Sequence, residues 1–308
     1  MLPIKDNFKR DYTVHKGDQL GSDFYNVGKM KQTNTNEVQY DPLLPTHPFF
    51  ITAVGPRHTG KSNCMVDLVV NKITPGFFDL IIIYCKTIHD DDKWEALTQD
   101  HVGDDMIRTE YSEEQISADY ETVCQMKAQN PGLRSLMIFD DMIADNVSNK
   151  FKVDKMGQLA AMGRHKGISV LFATQFYKAL APLIRTNTTH LLVFFQSNGQ
   201  EFNSIQEANC AHMNKKTFTK IYQEVFEDLD PRHHEGERPF LQVNNTKPLK
   251  DRYWKNWNVP IKIDGMSTEE TDLGGAKIPN KAQRKRKELD FEESDSGPEI
   301  VLDESDED

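Results

Sequence analysis

Apolar positions in this chain come in continuous runs rather than in alternation. Residues 49–54 (FFITAV) do not alternate, which predicts a strand buried on both faces. Residues 78–84 (FDLIIIY), 135–139, 168–173 and 191–195 repeat the pattern and predict four more strands. Residues 240–243 predict a sixth, edge strand. Helical patterns fall between these runs. Residues 63–72 carry Met65, Leu68 and Val69 on one face and are broken at Pro75-Gly76. Residues 113–129 follow the N-cap candidate Ser112, have acids in the first turn, and stop at Asn130-Pro131-Gly132. Residues 157–165 read as the end of a helix, 176–183 as partly helical, and 203–227 as helical in two pieces. The polar, acidic stretch 86–110 reads as a surface connection. Apolar strands alternating with helices predict an α/β fold: a mostly parallel central sheet with helices on both faces. No repeat at solenoid spacing is found.

The pattern also suggests boundaries. Residues 1–45 are polar and weakly periodic and form an N-terminal extension; 46–262 form the folded domain; apolar density falls beyond, and 263–308 are expected to be a disordered tail. A chain of 308 residues suits one α/β domain with tails, or at most two small domains. Apolar content of 37% is enough for a core, and no run is long enough to span a bilayer. The first residues lack an apolar signal core, so the expected setting is intracellular, not secreted.

Charge changes the picture only in one place. The net charge of −11 is concentrated in residues 288–308, which hold eleven acids and no Lys or Arg. The rest carries 37 acids against 37 bases, so the body is neutral and neither demands nor excludes nucleic acid. Cys64, Cys85, Cys124 and Cys210 form no CxxC pair, which predicts reduced, buried thiols. Cys210 and His212 are close, but nothing nearby completes a tetrahedral metal set.

The chemistry starts at Gly55-Pro56-Arg57-His58-Thr59-Gly60-Lys61-Ser62, a complete phosphate-binding loop between an apolar strand and a helix. Gly55 and Gly60 allow a tight turn and a close backbone approach. The intervening amides can cradle the β-phosphate, and the following helix adds its positive end. Lys61 would place its ammonium between the β- and γ-phosphates, and Ser62 its hydroxyl on Mg²⁺. The third strand ends in Asp140-Asp141, where ligands sit in such sheets. Asp140 would hold Mg²⁺ and Asp141 would polarise the attacking water. The fourth strand ends in Ala173-Thr174-Gln175, and Gln175 has the reach to bond that water or the γ-phosphate. Arg164 and Arg185 precede the fourth and fifth strands and are candidates for a guanidinium supplied to a neighbouring subunit's site. Each of these residues also has a bland reading, as a strand end or a surface ion pair. Together they describe a P-loop NTPase of the additional-strand (ASCE) type with ATP and Mg²⁺ as ligands.

The series GPRHTGKS, LMIFDD, GRHKGISVLFATQ and IRTNTTHLLVF, over residues 48–195, resembles the genome-packaging ATPases of large double-stranded DNA viruses and related virus-like transposons, of the FtsK–HerA class. The resemblance implies an ATP-driven motor that pushes double-stranded DNA into a preformed capsid. It implies a homo-oligomeric ring, a pentamer or hexamer, working with capsid vertex proteins and not with a membrane. It also implies a trans-acting arginine between the Asp strand and the Thr-Gln strand, which favours Arg164 over Arg185. Many relatives carry Glu where this chain has Asp141, shorter by one methylene, so the water must sit closer or a neighbour must help. Lys150, Lys152 and Lys155 would be positioned to meet DNA phosphates, or else belong to a solvated loop.

The tails allow several readings. The basic run 281–287 (KAQRKRK) fits a nuclear import signal or a nucleic-acid contact. The acidic end fits a DNA mimic, a docking tail or a solubilising segment, and Ser294, Ser296 and Ser305 sit among acids as acidophilic kinases prefer. Two other functions compete with a packaging motor. A small-molecule kinase needs an arginine-rich lid, and the region between the second and third strands offers only Arg108 and Arg134. A non-hydrolysing, nucleotide-gated scaffold is supported by Asp141 alone.

Overall fold

The computed structural model describes residues 13–17, 43–140, 155–210, 213–227 and 238–264. The chain divides into a unit Met1–Ser267 and a second unit, Thr268–Asp308, none of whose residues is among those described. The acidic end, the basic run 281–287 and the tail serines therefore lie outside the described residues, as do Asp141, Lys150, Lys152 and His212.

The five apolar runs form neighbouring parallel strands. Across the sheet the order is β7 (His190–Phe194), β2 (Phe50–Val54), β6 (Ile168–Thr174), β5 (Ser135–Asp140), β3 (Leu80–Cys85) and a two-residue β4 (Ile107–Arg108). Both faces of this sheet are covered. Alternate residues of each strand enter two separate apolar cores, which is why the runs are continuous rather than alternating. Phe50 and Val54 of β2 join Ile82, Phe139, Phe172 and Val193 on one face. Ile51 and Ala53 join Ile83, Ile138, Ala173 and Phe194 on the other.

The second face is covered by α1 (Lys61–Asp67), continued by a π-turn over Leu68–Lys72, and by α2 (Glu95–His101). The first face is covered by α3 (Glu113–Gln129), α4 (Lys155–Met162), α5 (Pro182–Asn187), α6 (Gly199–Asn209) and α7 (Lys215–Phe226). Helix α3 begins where its cap predicts: the Ser112 side chain accepts from the Gln115 N–H, and Glu113 and Glu114 lie in the first turn.

Several expectations need correction. The stretch 86–110 is not a plain surface connection. It contains α2 and β4, and Trp94, Leu97 and Val102 are buried in the core, a sparse apolar set hidden among acids. The predicted sixth strand is not an edge. β8 (Phe240–Asn244) lies antiparallel between β7 and β9 (Tyr253–Lys255), and β10 (Val259–Asp264) and β1 (Thr13–Lys16) extend the sheet further. The sheet therefore has ten strands among the described residues, and four of its pairings are antiparallel. Part of the N-terminal extension is thus a strand of the same sheet. The partial helix expected over 176–183 does form, starting at Pro182, whose fixed φ suits the first turn.

A buried polar cluster ties α3 to the far side of the sheet. Arg108 donates to both carboxylate oxygens of Asp119, at 3.0 and 2.8 Å. The Tyr84 hydroxyl donates to Asp119 at 2.5 Å, and the Tyr84 ring stacks on Phe139 at 4.6 Å, next to Asp140. Burial would raise the Asp119 pKa, but the bonds from Arg108 and Tyr84 outweigh it and hold the carboxyl below its ordinary value. Asp119→Ala leaves the half-buried guanidinium without its carboxylate. The expected cost is about 3 kcal/mol, read from urea unfolding. A loss below about 0.5 kcal/mol contradicts this role.

Two histidines set an acid limit. Burial lowers the pKa of His190 and of His47 to about 4, with smaller contributions from nearby Lys and Arg. Both are therefore neutral in the fold. Unfolded histidine titrates near 6.5, so the unfolded chain binds more protons below that pH. The associated stability is complete above about pH 6.5 and is lost as pH falls toward 4. The melting temperature is expected to fall across that window, and His190→Gln to flatten part of the decline. An identical decline in wild type and variant would show that His190 does not contribute.

Candidate nucleotide site

The loop 55–62 leaves the C-terminal end of β2 and is held on three sides. On the β6 side, the Gly55 N–H donates to the Thr174 carbonyl at 3.2 Å. On the β7 side, a Cβ on Gly55 would come within 2.7 Å of Phe194 Cβ and 2.9 Å of Thr59 Oγ1, so only glycine fits. From beneath, Gln196 donates through Nε2 to the Val54 carbonyl at 3.2 Å and to the Phe194 carbonyl at 3.1 Å. The Gln196 backbone N–H is itself fixed by Tyr222 Oη at 2.6 Å.

Within the loop, two residues take the left-handed conformation, His58 at φ 62° and Gly60 at φ 98°. The Thr59 hydroxyl and the Lys61 ammonium both donate to the Pro56 carbonyl, at 2.9 and 2.7 Å. Lys61 is buried, Ser62 and Pro56 are half-buried, and Arg57 and His58 are exposed. A loop of this shape offers inward amides, a helix start and an ammonium to a phosphate chain.

Strand β6 separates β2 from β5. In the sequence it follows both of them, so the strand lying between the loop and the Asp strand in the chain, β3, is not the one between them in space. Asp140 is the last residue of β5 and is buried. Strand alternation puts it on the same face as Leu136 and Ile138, the α1 side. Two strand spacings put it about 10 Å across from β2, which leaves room for a phosphate and a hydrated Mg²⁺ between. The Asp140 charge, after burial, helps push the neighbouring Cys85 thiol up to about 11. Gln175 lies half-buried just beyond β6, and the backbone after it is pinned by the buried Glu201, which accepts from the Tyr177 and Lys178 N–H groups at 2.8 and 3.3 Å. Thr174 closes the same turn by accepting from the Phe176 N–H at 3.1 Å.

The sequence-predicted residues thus divide in two. Gly55 to Ser62, Asp140 and Gln175 share the C-terminal edge of the parallel strands. Arg164 does not: it is exposed in a 3₁₀ turn before β6, at the opposite end of a seven-residue strand, roughly 20 Å away. It cannot serve its own subunit's loop. Arg185, in α5 before β7, has its guanidinium 5.7 Å from the Tyr177 ring centroid. Gln196, Glu201 and Arg238 were missed. Gln196 had a signal, a polar residue directly after an apolar strand. Arg238 had none, because its partner His58 is 180 residues away.

A family of known proteins matches most of this region: residues 36–232 fit the family described as Poxvirus A32 protein. The chain belongs to that family. This membership agrees with the likeness to viral genome-packaging ATPases seen in the motifs. No curated protein matches the chain. Among solved structures, one similar fold is "B204, the DNA-packaging ATPase from Sulfolobus Turreted Icosahedral Virus", at 14% identity over 70% of this chain and 97% of that chain, with a TM-score of 0.47. Another is EssC (ATPases 2 and 3) from Geobacillus thermodenitrificans, at 13% identity over 81% of this chain and 45% of that one, with a TM-score of 0.43.

The fit of Gly55 gives a direct test. Gly55→Ala must push Phe194 or the loop aside, at a cost of about 1–3 kcal/mol. Nucleotide affinity, read by titration with a fluorescent ATP analogue, is expected to fall by at least about tenfold. Wild-type affinity in that variant would show that the loop tolerates a Cβ there.

Proposed function

We propose that this A32-family protein is an ATPase that drives viral double-stranded DNA into a preformed capsid, acting as a homo-oligomeric ring. The observation that carries the proposal is the family match over a region containing a complete phosphate loop and, on the same sheet edge and two strands away, a buried carboxylate.

The loop amides and Lys61 would hold the phosphates of ATP, and Ser62 and Asp140 would hold Mg²⁺. When bound, ATP supplies the phosphoryl group and Mg²⁺ the charge that neutralises it. The protein's own part is positioning. Lys61, which bonds the Pro56 carbonyl, would turn to the β- and γ-phosphates. Gln175 would orient the attacking water, and Asp141, next to Asp140, would accept its proton. Arg164 would reach a neighbouring subunit's phosphates, since it is too far from its own. Lys155, at the start of α4, with Lys150 and Lys152 outside the described residues, would contact DNA phosphates. Pentamer or hexamer, and the capsid vertex partner, belong to the same proposal.

The kinase alternative loses its remaining support. Arg108 is tied to Asp119 and Arg134 to Asp79, so neither is offered as a lid arginine. Among the described residues no helix is long and apolar enough to cross a membrane. A nuclear role for residues 281–287 has no support beyond their basic composition.

Steady-state ATP hydrolysis tests the proposal. Double-stranded DNA is expected to stimulate turnover, with the stimulation fading as salt rises, and Lys61→Ala to abolish it. Turnover indifferent to DNA of any length would contradict a motor. Mixing Arg164→Ala with wild-type subunits is expected to depress activity more steeply than simple dilution. A linear fall would rule out a trans role for Arg164.

A further inference from the structure

Arg238 lies beyond the residues matched to the family and outside every motif of the sequence. It stands two residues before β8, at the sheet edge that carries the phosphate loop. Its Nη1 donates to the His58 carbonyl at 2.7 Å. Its aliphatic stem lies against Gly60, where an added Cβ would meet Arg238 Cδ at 3.0 Å, Cβ at 3.2 Å and Cγ at 3.7 Å. The two loop residues it touches are the two left-handed ones, His58 and Gly60. Glycine takes that conformation freely. Histidine, with its Cβ, adopts it at a steric cost, which an outside contact helps to offset.

The direction of approach matters. Strand β8 neighbours β7, which neighbours β2, whereas Asp140 stands on the opposite side of β2, beyond β6. Arg238 therefore reaches the loop from the side away from the Asp140 carboxylate. It grips the outer, carbonyl side of the His58–Thr59 peptide. A donor on that carbonyl fixes the peptide plane and polarises its N–H, the one belonging to Thr59. In a phosphate loop that N–H is among the donors that line the cradle.

We propose that Arg238 is a positioning residue for nucleotide binding: it clamps the His58–Thr59 peptide from outside and so holds the loop's amides in their phosphate-binding arrangement. The inference rests on the reading of residues 55–62 as a nucleotide site. It makes affinity depend on a strand that lies outside the parallel half of the sheet.

The test is titration of the full chain with fluorescent ADP and ATP analogues. Wild type, Lys61→Ala, Arg238→Ala, Arg238→Lys, His58→Gly and the His58→Gly/Arg238→Ala double variant are compared, with melting temperatures to check folding. Arg238 is exposed, so its variants are expected to fold. Arg238→Ala is expected to weaken both nucleotides about tenfold, the size of one lost hydrogen bond from a charged donor. Arg238→Lys, which keeps a charged donor, is expected to recover part of the loss. In the His58→Gly background, where the left-handed conformation needs no hold, removing Arg238 is expected to cost less than about twofold. An Arg238→Ala affinity within about twofold of wild type would overturn the proposal. So would a full tenfold loss persisting in the His58→Gly background, because Arg238 would then act on the nucleotide and not through the loop. A wild type that binds neither analogue, like Lys61→Ala, would overturn the nucleotide reading itself.

Discussion

Strand β6 bonds to β2 on one side and to β5 on the other, and this insertion sets the distance on which the site depends. Parallel pairing in register aligns Val54 with Thr174 and Phe139 with Phe172, so the strand tips end close to level. A loop leaving β2 and a carboxylate ending β5 then face each other across one strand width on either side of β6. If β5 lay directly beside β2, Asp140 would stand about 5 Å from the loop strand rather than about 10 Å. With β6 between, Gln175, the residue just past its tip, follows Thr174 at the same sheet edge.

The rest of the parallel half can be read as support for that edge. Tyr84, stacked on Phe139 and bonded to Asp119 of α3, ties the residue before Asp140 to that helix, and Arg108 holds the same carboxylate. Glu201 pins the turn after Gln175, and Gln196 braces the end of β2. These bonds are buried, where an unmade hydrogen bond is costly, so they hold the edge more firmly than surface contacts would. The antiparallel half does a different job. It closes the β7 side of the sheet and brings Arg238 onto the loop. The loop is thus gripped from both flanks, by the Thr174 carbonyl and by an arginine.

Much of the fold was legible because burial on both faces leaves a plain mark. The runs ending at Val54, Phe139 and Ala173 had no alternation, and their strands match to within a residue or two. Helix α3 was legible to the residue because Ser112 caps it and Pro131 cannot continue it. The stretch 86–110 failed for the opposite reason: Trp94, Leu97 and Val102 are too few among the acids to show a period. β8 was read as an edge because β9, β10 and β1 are short or interrupted by Pro260, and antiparallel pairing between distant segments has no local sign. The placing of Lys61, Ser62 and Asp140 at one sheet edge was legible from the motifs and their spacing. Strand order was what the sequence lacked. Arg164 lies at the far end of β6 simply because it precedes a parallel strand, and that much was legible in the sequence. Arg238 depends on a contact between residues on separate strands and carries no motif at all.

The central claim is that the loop and Asp140, two strands apart, form one site. Calorimetric titration of ATP into wild type and Asp140→Asn, each with Mg²⁺ and with chelator, tests it most directly. In wild type, Mg²⁺ is expected to tighten ATP binding. Asp140→Asn is expected to lose that increment while keeping its metal-free affinity. An Mg²⁺ increment of the same size in Asp140→Asn would contradict the account, because the metal would then be held without the strand that β6 sets apart.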